Sequence, residues 1–207
     1  MTGFDELVRR RRMTRRFSPE ALPDGCIDHL VDLASRAPSA GKSQGWHVVV
    51  LEGDDTARFW DVTLPDDRRA GFTWPHLLDA PTILLPFADA TAYTERYSLP
   101  DKAATGLGTG PDAWPVPYWT VDTSMAVMTI LLGAEDAGLG ALFFGVFRGE
   151  SELRRRLGVP DHLELLGAIA LGRPIRDDAA GSAGRSAARR RRTPDEIIHR
   201  GGWRAGG

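Results

Sequence analysis

The chain has 207 residues, of which 42% are hydrophobic and 26% are charged, a balance typical of one globular domain with its own core. Cys26 is the only cysteine, which excludes a disulfide framework or a cysteine-built metal centre within one chain and favours a reducing, cytoplasmic location. No segment has the apolar length of a membrane span or a secretory leader, so we expect no membrane partner.

The formal net charge of −2 hides two basic runs. RRRRMTRR at 9–16 holds six arginines, and RSAARRRR at 185–192 holds five. Such runs are most often solvated faces, but they also suit a phosphate site or a nucleic-acid surface. An Arg-rich nucleic-acid-binding module is therefore the alternative from a different class. Neither run has interleaved aromatic residues for base stacking, so we expect no nucleic-acid partner.

The first part of the chain alternates predicted helices and strands. Residues 3–12 predict an amphipathic helix, and a second helix, capped by Asp24, is stopped by Ala37 and Pro38. The β-branched run from Trp46 to Leu51 predicts a strand. The continuous apolar segment 80–88 predicts another strand, buried on both faces.

The second part begins with residues 97–120, which have no clear period and hold four prolines and three glycines. They predict a loop excursion with a functional role. A helix over Val121–Gly138 is apolar nearly all round, so it packs against a sheet or a partner chain. Strands at Gly140–Phe147 and Leu165–Leu171 enclose a short helix at 150–157. Residues 173–207 form an extended C-terminal arm, and the whole chain 1–207 is one α+β domain.

A polar loop stands directly before the first predicted strand, in the stretch APSAGKSQGWHVVV at 37–50. Its serines, lysine and glutamine can all form hydrogen bonds. The loop is either a plain connector from helix to strand or a holder for a polar ligand at the edge of the sheet. The residues of the loop alone favour the connector.

Four motifs in order along the chain resemble those of the nitroreductase family of FMN flavoproteins: RRRMTRRFSPEALP, APSAGKSQGWHVVV, DAGLGALFFG and RRTPDEIIHRGGW. The resemblance implies an α/β sandwich in which helices flank a central, mostly antiparallel sheet. It also implies a homodimer with two FMN sites at the subunit interface, each built from both chains. The polar loop would then reach the FMN of the partner subunit.

The resemblance assigns cofactor-binding residues to each motif. Arginines from both runs would bind the FMN phosphate, since guanidinium groups bind its oxygens bidentately. Arg11 or Arg12 could instead serve the pyrimidine end of the flavin. The remaining arginines of the runs, including Arg9 and Arg10, would face solvent. The assigned set is Arg11, Arg12, Met13, Arg15, Pro38, Ser39, Ala40, Lys42, Gln44, Phe143, Phe144, Gly145, Arg190 and Arg192.

Three positions depart from the family pattern. Met13 stands where many relatives have serine, Gly45 where proline is usual, and Lys42 where asparagine is common. We expect Lys42 to bring a positive charge toward the ribityl-phosphate region of the partner chain's FMN.

The implied activity is electron transfer from NAD(P)H to a small aromatic acceptor, of the nitroaromatic or quinone type, by a ping-pong mechanism. No side chain is an obligatory catalyst, because the flavin carries the chemistry and the backbone near Phe144 and Gly145 approaches it. Tyr97 and Trp114 would border the substrate. The histidines lack ligand spacing, so no metal is expected. A flavin-dependent oxidase, a flavin-consuming enzyme of the same superfamily and a deazaflavin cofactor stay open as alternatives.

Overall fold

The computed structural model describes residues 3–175 and 189–203. The chain divides into two compact units, Met1–Arg176 and Asp177–Gly207. The second unit covers most of the predicted C-terminal arm. None of the helices in the two described ranges is long and apolar enough to cross a membrane.

The first unit contains the helices and strands. The helices are α1 (Phe4–Arg10), α2 (Cys26–Ala34), α3 (Ala57–Thr63), α4 (Asp66–Arg69), α5 (Ala90–Ser98), α6 (Tyr118–Asp136) and α7 (Glu150–Leu157). The strands are β1 (Trp46–Glu52), β2 (Thr82–Asp89), β3 (Gly140–Phe144), β4 (Leu163–Leu165) and β5 (Ala168–Gly172).

All the strand pairs are antiparallel, and the sheet order is β1-β2-β5-β3 with β4 pairing the end of β2. β1 and β3 therefore lie at opposite edges of this path. One parallel bridge joins Met13 to Ala141, so the segment after α1 runs beside β3. The predicted α+β class and antiparallel sheet are confirmed.

The sheet is buried on both faces because its central strands alternate apolar side chains between two cores. On β2, Ile83 and Leu85 pack into a core with α3 and α7, while Leu84 packs into a second core with α2 and α6. On β5, Ala170 joins the first core and Ile169 the second. This alternation explains the continuous apolar run that predicted a doubly buried strand.

The predicted excursion at 97–120 is shorter and more ordered than the sequence indicates. Its first two residues belong to α5 and its last three to α6, and three 3-10 turns at 103–105, 107–109 and 111–113 lie between. Trp114 is 8% exposed and packs with Tyr93 and Trp119 in a third core cluster. The buried indole explains how a segment rich in proline and glycine is held in place.

Other sequence predictions are corrected at element ends. Asp24 does not cap α2; Gly25 is the N-cap residue, in a left-handed conformation. Helix α6 begins three residues before Val121, because the restricted backbone of Pro117 precedes its first turn. The α6 helix also buries most of its apolar surface within its own chain, against α2 and the sheet.

Candidate active site

The arginine segment and β3 are brought together by backbone pairing at Ala141. The segment leaves α1 at Arg11, and the N–H of Thr14 donates to the carbonyl of Ala141 at 3.0 Å. Because the pairing of Met13 with Ala141 is parallel, the segment runs along β3 with Arg11 toward the start of the strand and Arg15 toward Phe143 and Phe144. The first and third motifs thus form one group of candidate residues, which we call the β3-edge group (residues 11–15 and 143–145).

Three guanidinium groups near this edge already have partners within the chain. Arg10 Nε donates to Glu135 Oε1 at 2.7 Å, so Arg10, whose side chain is 37% exposed, is held by an ion pair within the chain as well as facing solvent. Arg12 Nη1 donates to the carbonyl of Arg9 at 2.6 Å, which satisfies the C-terminal end of α1. The Arg15 guanidinium lies 5.2 Å from the centroid of the Trp74 ring, a cation–π distance.

Arg11 differs from these arginines. Its Nη1 atom is buried and has no hydrogen-bond partner among the described residues. A buried guanidinium nitrogen without a partner has lost its hydration and gained nothing in exchange, which is costly. An anionic group bound beside Arg11 would satisfy this atom. The residues of the β3-edge group therefore fit a cofactor that carries negative charge.

Past Phe144 the backbone leaves the sheet. The last pair between β3 and β5 joins Phe144 to Ala168, and Gly145 follows beyond it. The Phe144 ring stacks on Trp60, with 6.0 Å between the ring centroids and 6° between the planes. A Cβ on Gly145 would lie 2.6 Å from the exposed Phe147 ring. A glycine here lets the aromatic ring lie close over the backbone.

The polar loop from Pro38 to Gln44, which we call the β1 loop, has an unusual backbone. Gly41, Lys42 and Gln44 have φ values of 61°, 57° and 51°, which are uncommon for residues with side chains. Local bonds hold this shape: the hydroxyl of Ser39 accepts from the N–H of Gln44 at 3.1 Å. Lys42 and Gln44 are exposed, while Ser39 and Ala40 are half-buried.

Two helices tether the β1 loop from outside. Asp122 Oδ2 on α6 accepts from the N–H of Ala40 at 2.8 Å and from the hydroxyl of Tyr93 at 2.7 Å. Arg96 Nε on α5 donates to the carbonyl of Gly41 at 2.9 Å. Burial, together with the hydrogen bond to Asp122, raises the pKa of Tyr93 above its ordinary value. Sequence analysis missed Asp122, although a carboxylate inside the most apolar helix of the chain was a signal.

The β1 loop does not join the β3-edge group within one chain. It leads into β1, at one edge of the sheet, whereas the arginine segment pairs with β3, at the other edge. Two strands lie between, so the edges are about 14 Å apart at the usual strand spacing. The twelve assigned residues of the first unit therefore form two separate groups in a single chain.

The two residues predicted to border the substrate lie on the β1 side. Tyr97 packs against Gly41, where a Cβ would be 2.8 Å from the ring. The rings of Tyr97 and Trp114 are 4.6 Å apart, and the indole Nε1 of Trp114 donates to the carbonyl of Leu107 at 2.9 Å. Lys102 Nζ lies 5.6 Å from the centroid of the Tyr97 ring. Tyr97 is half-buried, so it is the more accessible of the two.

The second unit holds the other two assigned arginines. Arg190 binds the carboxylate of Glu196 with both terminal nitrogens, and Glu196 also closes a capping box with Thr193. The hydrogen bond from Arg190, that from Thr193 and the charge of Arg192 lower the pKa of Glu196 to about 2. Arg185 and the rest of 176–188 lie outside the described residues. Phosphate binding by Arg190 and Arg192 stays a prediction.

The described ranges hold no group of histidine, cysteine and carboxylate side chains suited to a metal ion. The architecture is of the α+β class, with groups of candidate residues at the two edges of its antiparallel sheet. The family model described as "Nitroreductase family" matches residues 8–173, and the chain belongs to this family.

Known proteins of related sequence and structure have oxidoreductase names. An NADH dehydrogenase of Thermus thermophilus is 28% identical over 182 residues, covering 81% of this chain and 85% of the relative. A 4-nitrobenzoate reductase of Nocardioides is 28% identical over 197 residues, covering 82% and 80%. A nitroreductase-type structure from Exiguobacterium sibiricum, in complex with FMN, has a TM-score of 0.75 at 16% identity and covers 99% of this chain and 98% of that chain.

Proposed function

We propose that this protein is an FMN-dependent oxidoreductase that transfers electrons from NAD(P)H to a small aromatic acceptor in alternating half-reactions. The observation that carries the proposal is the buried, unpartnered Nη1 of Arg11 near the start of β3. This atom needs an anionic partner, and FMN carries a phosphate and gains negative charge in its ring on reduction. The FMN in the Exiguobacterium structure supports the choice of cofactor.

FMN, when bound, supplies hydride acceptance and donation, so this chain needs no obligatory acid or base of its own. Arg11 and Met13 would hold the cofactor along β3, with Arg11 supplying the balancing charge. The backbone of Phe144 and Gly145, beyond the last sheet pair, would lie at the edge of the ring system. The stack of Phe144 on Trp60 would hold that backbone in place.

We further propose that each site is completed by the β1 loop of a second copy of this chain. The two groups of assigned residues lie at opposite edges of the sheet, so one chain cannot bring them together without refolding. The α6 helix offers an apolar surface for such a dimer: Met128 is 39% exposed, and Phe4 and Val8 on the neighbouring α1 are 70% and 41% exposed. Exposed apolar surface of this kind is typical of a protein interface.

We assign the reductant and the acceptor as classes of compound, on the names of two relatives. The Thermus relative is named for NADH and the Nocardioides relative for 4-nitrobenzoate, a small flat acceptor. Tyr97, half-buried and packed against the β1 loop, would contact such an acceptor edge-on or face-on. Nitroaromatics and quinones are accordingly the acceptors to assay first.

The test is spectroscopic and kinetic. We expect purified protein to carry flavin absorbance or to bind added FMN, and NADH or NADPH to bleach that absorbance without oxygen. Addition of 4-nitrobenzoate or a benzoquinone should restore it, and double-reciprocal plots against both substrates should be parallel. Protein that stays colourless with excess FMN and shifts DNA in a gel would overturn the proposal in favour of a nucleic-acid-binding module.

A further inference from the structure

Asp122 is a buried carboxylate without a buried cation. Its residue is 4% exposed, and it makes no ion pair with any lysine, arginine or histidine in the described ranges. Its recorded partners are the N–H of Ala40 and the hydroxyl of Tyr93, both bonded to the same oxygen, Oδ2. Burying a carboxylate costs more than two such bonds usually return, so net stability is a poor reason for its presence.

The Ala40 amide belongs to the part of the β1 loop that has the unusual backbone. Ala40 directly precedes Gly41 and Lys42, whose φ values are 61° and 57°. The bond from Asp122 holds the start of this turn, and the bond from Arg96 to the carbonyl of Gly41 holds its middle. A left-handed lysine and glutamine persist only where the surroundings determine them, and Asp122 is a fixed point on a rigid helix.

Tyr93 links this anchor to the aromatic cluster. Tyr93 is 1% exposed and packs edge-on against both Trp114 and Trp119, so its hydroxyl has little freedom. The fixed hydroxyl of Tyr93 donates to the same Asp122 oxygen that accepts from Ala40, so it helps to orient the carboxylate toward the loop. The carboxylate, the tyrosine and the loop amide thus form a chain of contacts from the core to the β1 loop.

We propose that Asp122 is a positioning residue that sets the β1 loop in its cofactor-binding conformation before the cofactor binds. This inference rests on the proposed function, in which that loop completes an FMN site. A loop that is already ordered loses less entropy on binding, so its anchor contributes to affinity without touching the ligand. Ser39, which directly precedes Ala40, and Lys42, which lies within the anchored turn, are the side chains whose placement depends on it.

The experiment compares four variants by FMN affinity and by amide hydrogen exchange of residues 39–45 in the FMN-free protein. Asp122→Ala removes both bonds, and Tyr93→Phe removes the support of the carboxylate. Asp122→Asn can keep both bonds through its amide oxygen, only weaker, and serves as the conservative rescue. Thr123→Val is the matched control, because Thr123 is fully buried next to Asp122 but its hydroxyl bonds only to the Trp119 carbonyl of its own helix.

We expect Asp122→Ala to raise the Kd for FMN about tenfold or more and to speed exchange of the loop amides, with Tyr93→Phe smaller in the same direction. Asp122→Asn should lie close to the parent in both measurements. Thr123→Val should lower the melting temperature while leaving the Kd and loop exchange unchanged. If Asp122→Ala does not fold, FMN affinity and loop exchange can still be compared between Tyr93→Phe, which removes one bond to the carboxylate, and Asp122→Asn, which can keep both.

The inference is overturned if Asp122→Ala or Tyr93→Phe changes only the melting temperature, with loop exchange and FMN affinity as in the parent. A parent protein that bound no FMN would instead contradict the proposed function. In that case the exchange measurement alone would decide whether Asp122 sets the loop, because it needs no ligand.

Discussion

Three consecutive arginines of the first basic run, Arg10, Arg11 and Arg12, differ in what their guanidinium groups contact. Arg10 binds Glu135, which is 125 positions away, and Arg12 binds the carbonyl end of its own helix. Arg11, between them, has a buried Nη1 atom with no hydrogen-bond partner among the described residues. The sequence could indicate that some of these arginines bind phosphate. It could not rank them, because the partners that occupy the others come from distant elements.

Arg11→Met tests this ranking. We expect FMN affinity to fall about 10- to 100-fold, since a hydrogen bond to a charged group contributes about 1.5 to 3 kcal/mol. The FMN-free protein should be as stable as the parent or more so, because the substitution removes a buried nitrogen that has no partner. Equilibrium titration and urea unfolding of the FMN-free form measure the two effects.

The control for this test is Arg9→Met, at an exposed position of the same run. It should leave both quantities unchanged. Equal loss of FMN affinity in the two variants would mean that the run acts only through its overall charge.

Lys42 is the second residue whose contribution to FMN binding can be tested by substitution. It is exposed and has a left-handed backbone, a conformation that asparagine tolerates well. Lys42→Asn should therefore fold as the parent does, weaken FMN binding several-fold and make the affinity less dependent on salt. FMN titrations at several salt concentrations measure both the affinity and its slope.

Lys102→Asn changes the only other lysine of the chain and serves as the control. It should keep the parental salt slope. If Lys42→Asn keeps both the parental affinity and the parental slope, Lys42 is merely solvated.

At the scale of elements, the sequence predicts best where one period dominates. The bounds predicted for α7 match the structure, because Glu150 to Leu157 lies between two glycines in left-handed conformations. Helix α5 was missed: its residues TAYTERYS are mostly polar, and it is held by the Asp89 cap and by the packing of Tyr93 in the third core cluster. The tethers on the β1 loop also come from distant helices, so no local pattern could reveal them.

Helix α7 carries a pH-dependent element of stability. The hydrogen bond from Arg155, followed by that from Arg156, lowers the pKa of Glu152 to about 2. A carboxylate whose pKa is lower in the folded state stabilises the fold above its unfolded pKa, near 4.5, and loses that contribution as the pH falls toward 2. Glu152→Gln should thus be less stable than the parent at neutral pH, with the difference narrowing below pH 4.5.

Urea unfolding of the parent and the variant across a pH series measures this difference. Glu150→Gln, on the same helix, is the comparison, since its ion pair with Arg154 is longer at 3.6 Å. A Glu152→Gln difference that stayed constant with pH would show that the carboxylate acts through packing and not through its charge.

At the scale of the whole molecule, the sheet sets what one copy of the chain can do. Its order places the β1 loop and the β3-edge group at opposite edges, and α6 leaves an apolar stripe that includes Met128 uncovered. Sequence motifs give the order of residues along the chain but not which edge each one reaches. A site shared between two copies would use both edges at once, with two equivalent sites per dimer.

Mixing two defective chains tests this sharing directly. Arg11→Met damages the β3-edge group, and Gly41→Val damages the β1 loop, because a side chain there meets the Tyr97 ring and the backbone has a φ of 61°. Each variant alone should bind FMN weakly.

In a shared site, one of the two sites of each mixed dimer is intact, so refolding equal amounts together should restore about one quarter of the tight sites. FMN titration of the refolded mixture counts them, and Arg11→Met and Gly41→Val each refolded alone are the controls that should restore none. If the mixture of Arg11→Met and Gly41→Val binds no better than its components, both groups must serve the same chain, which would contradict the two-chain site.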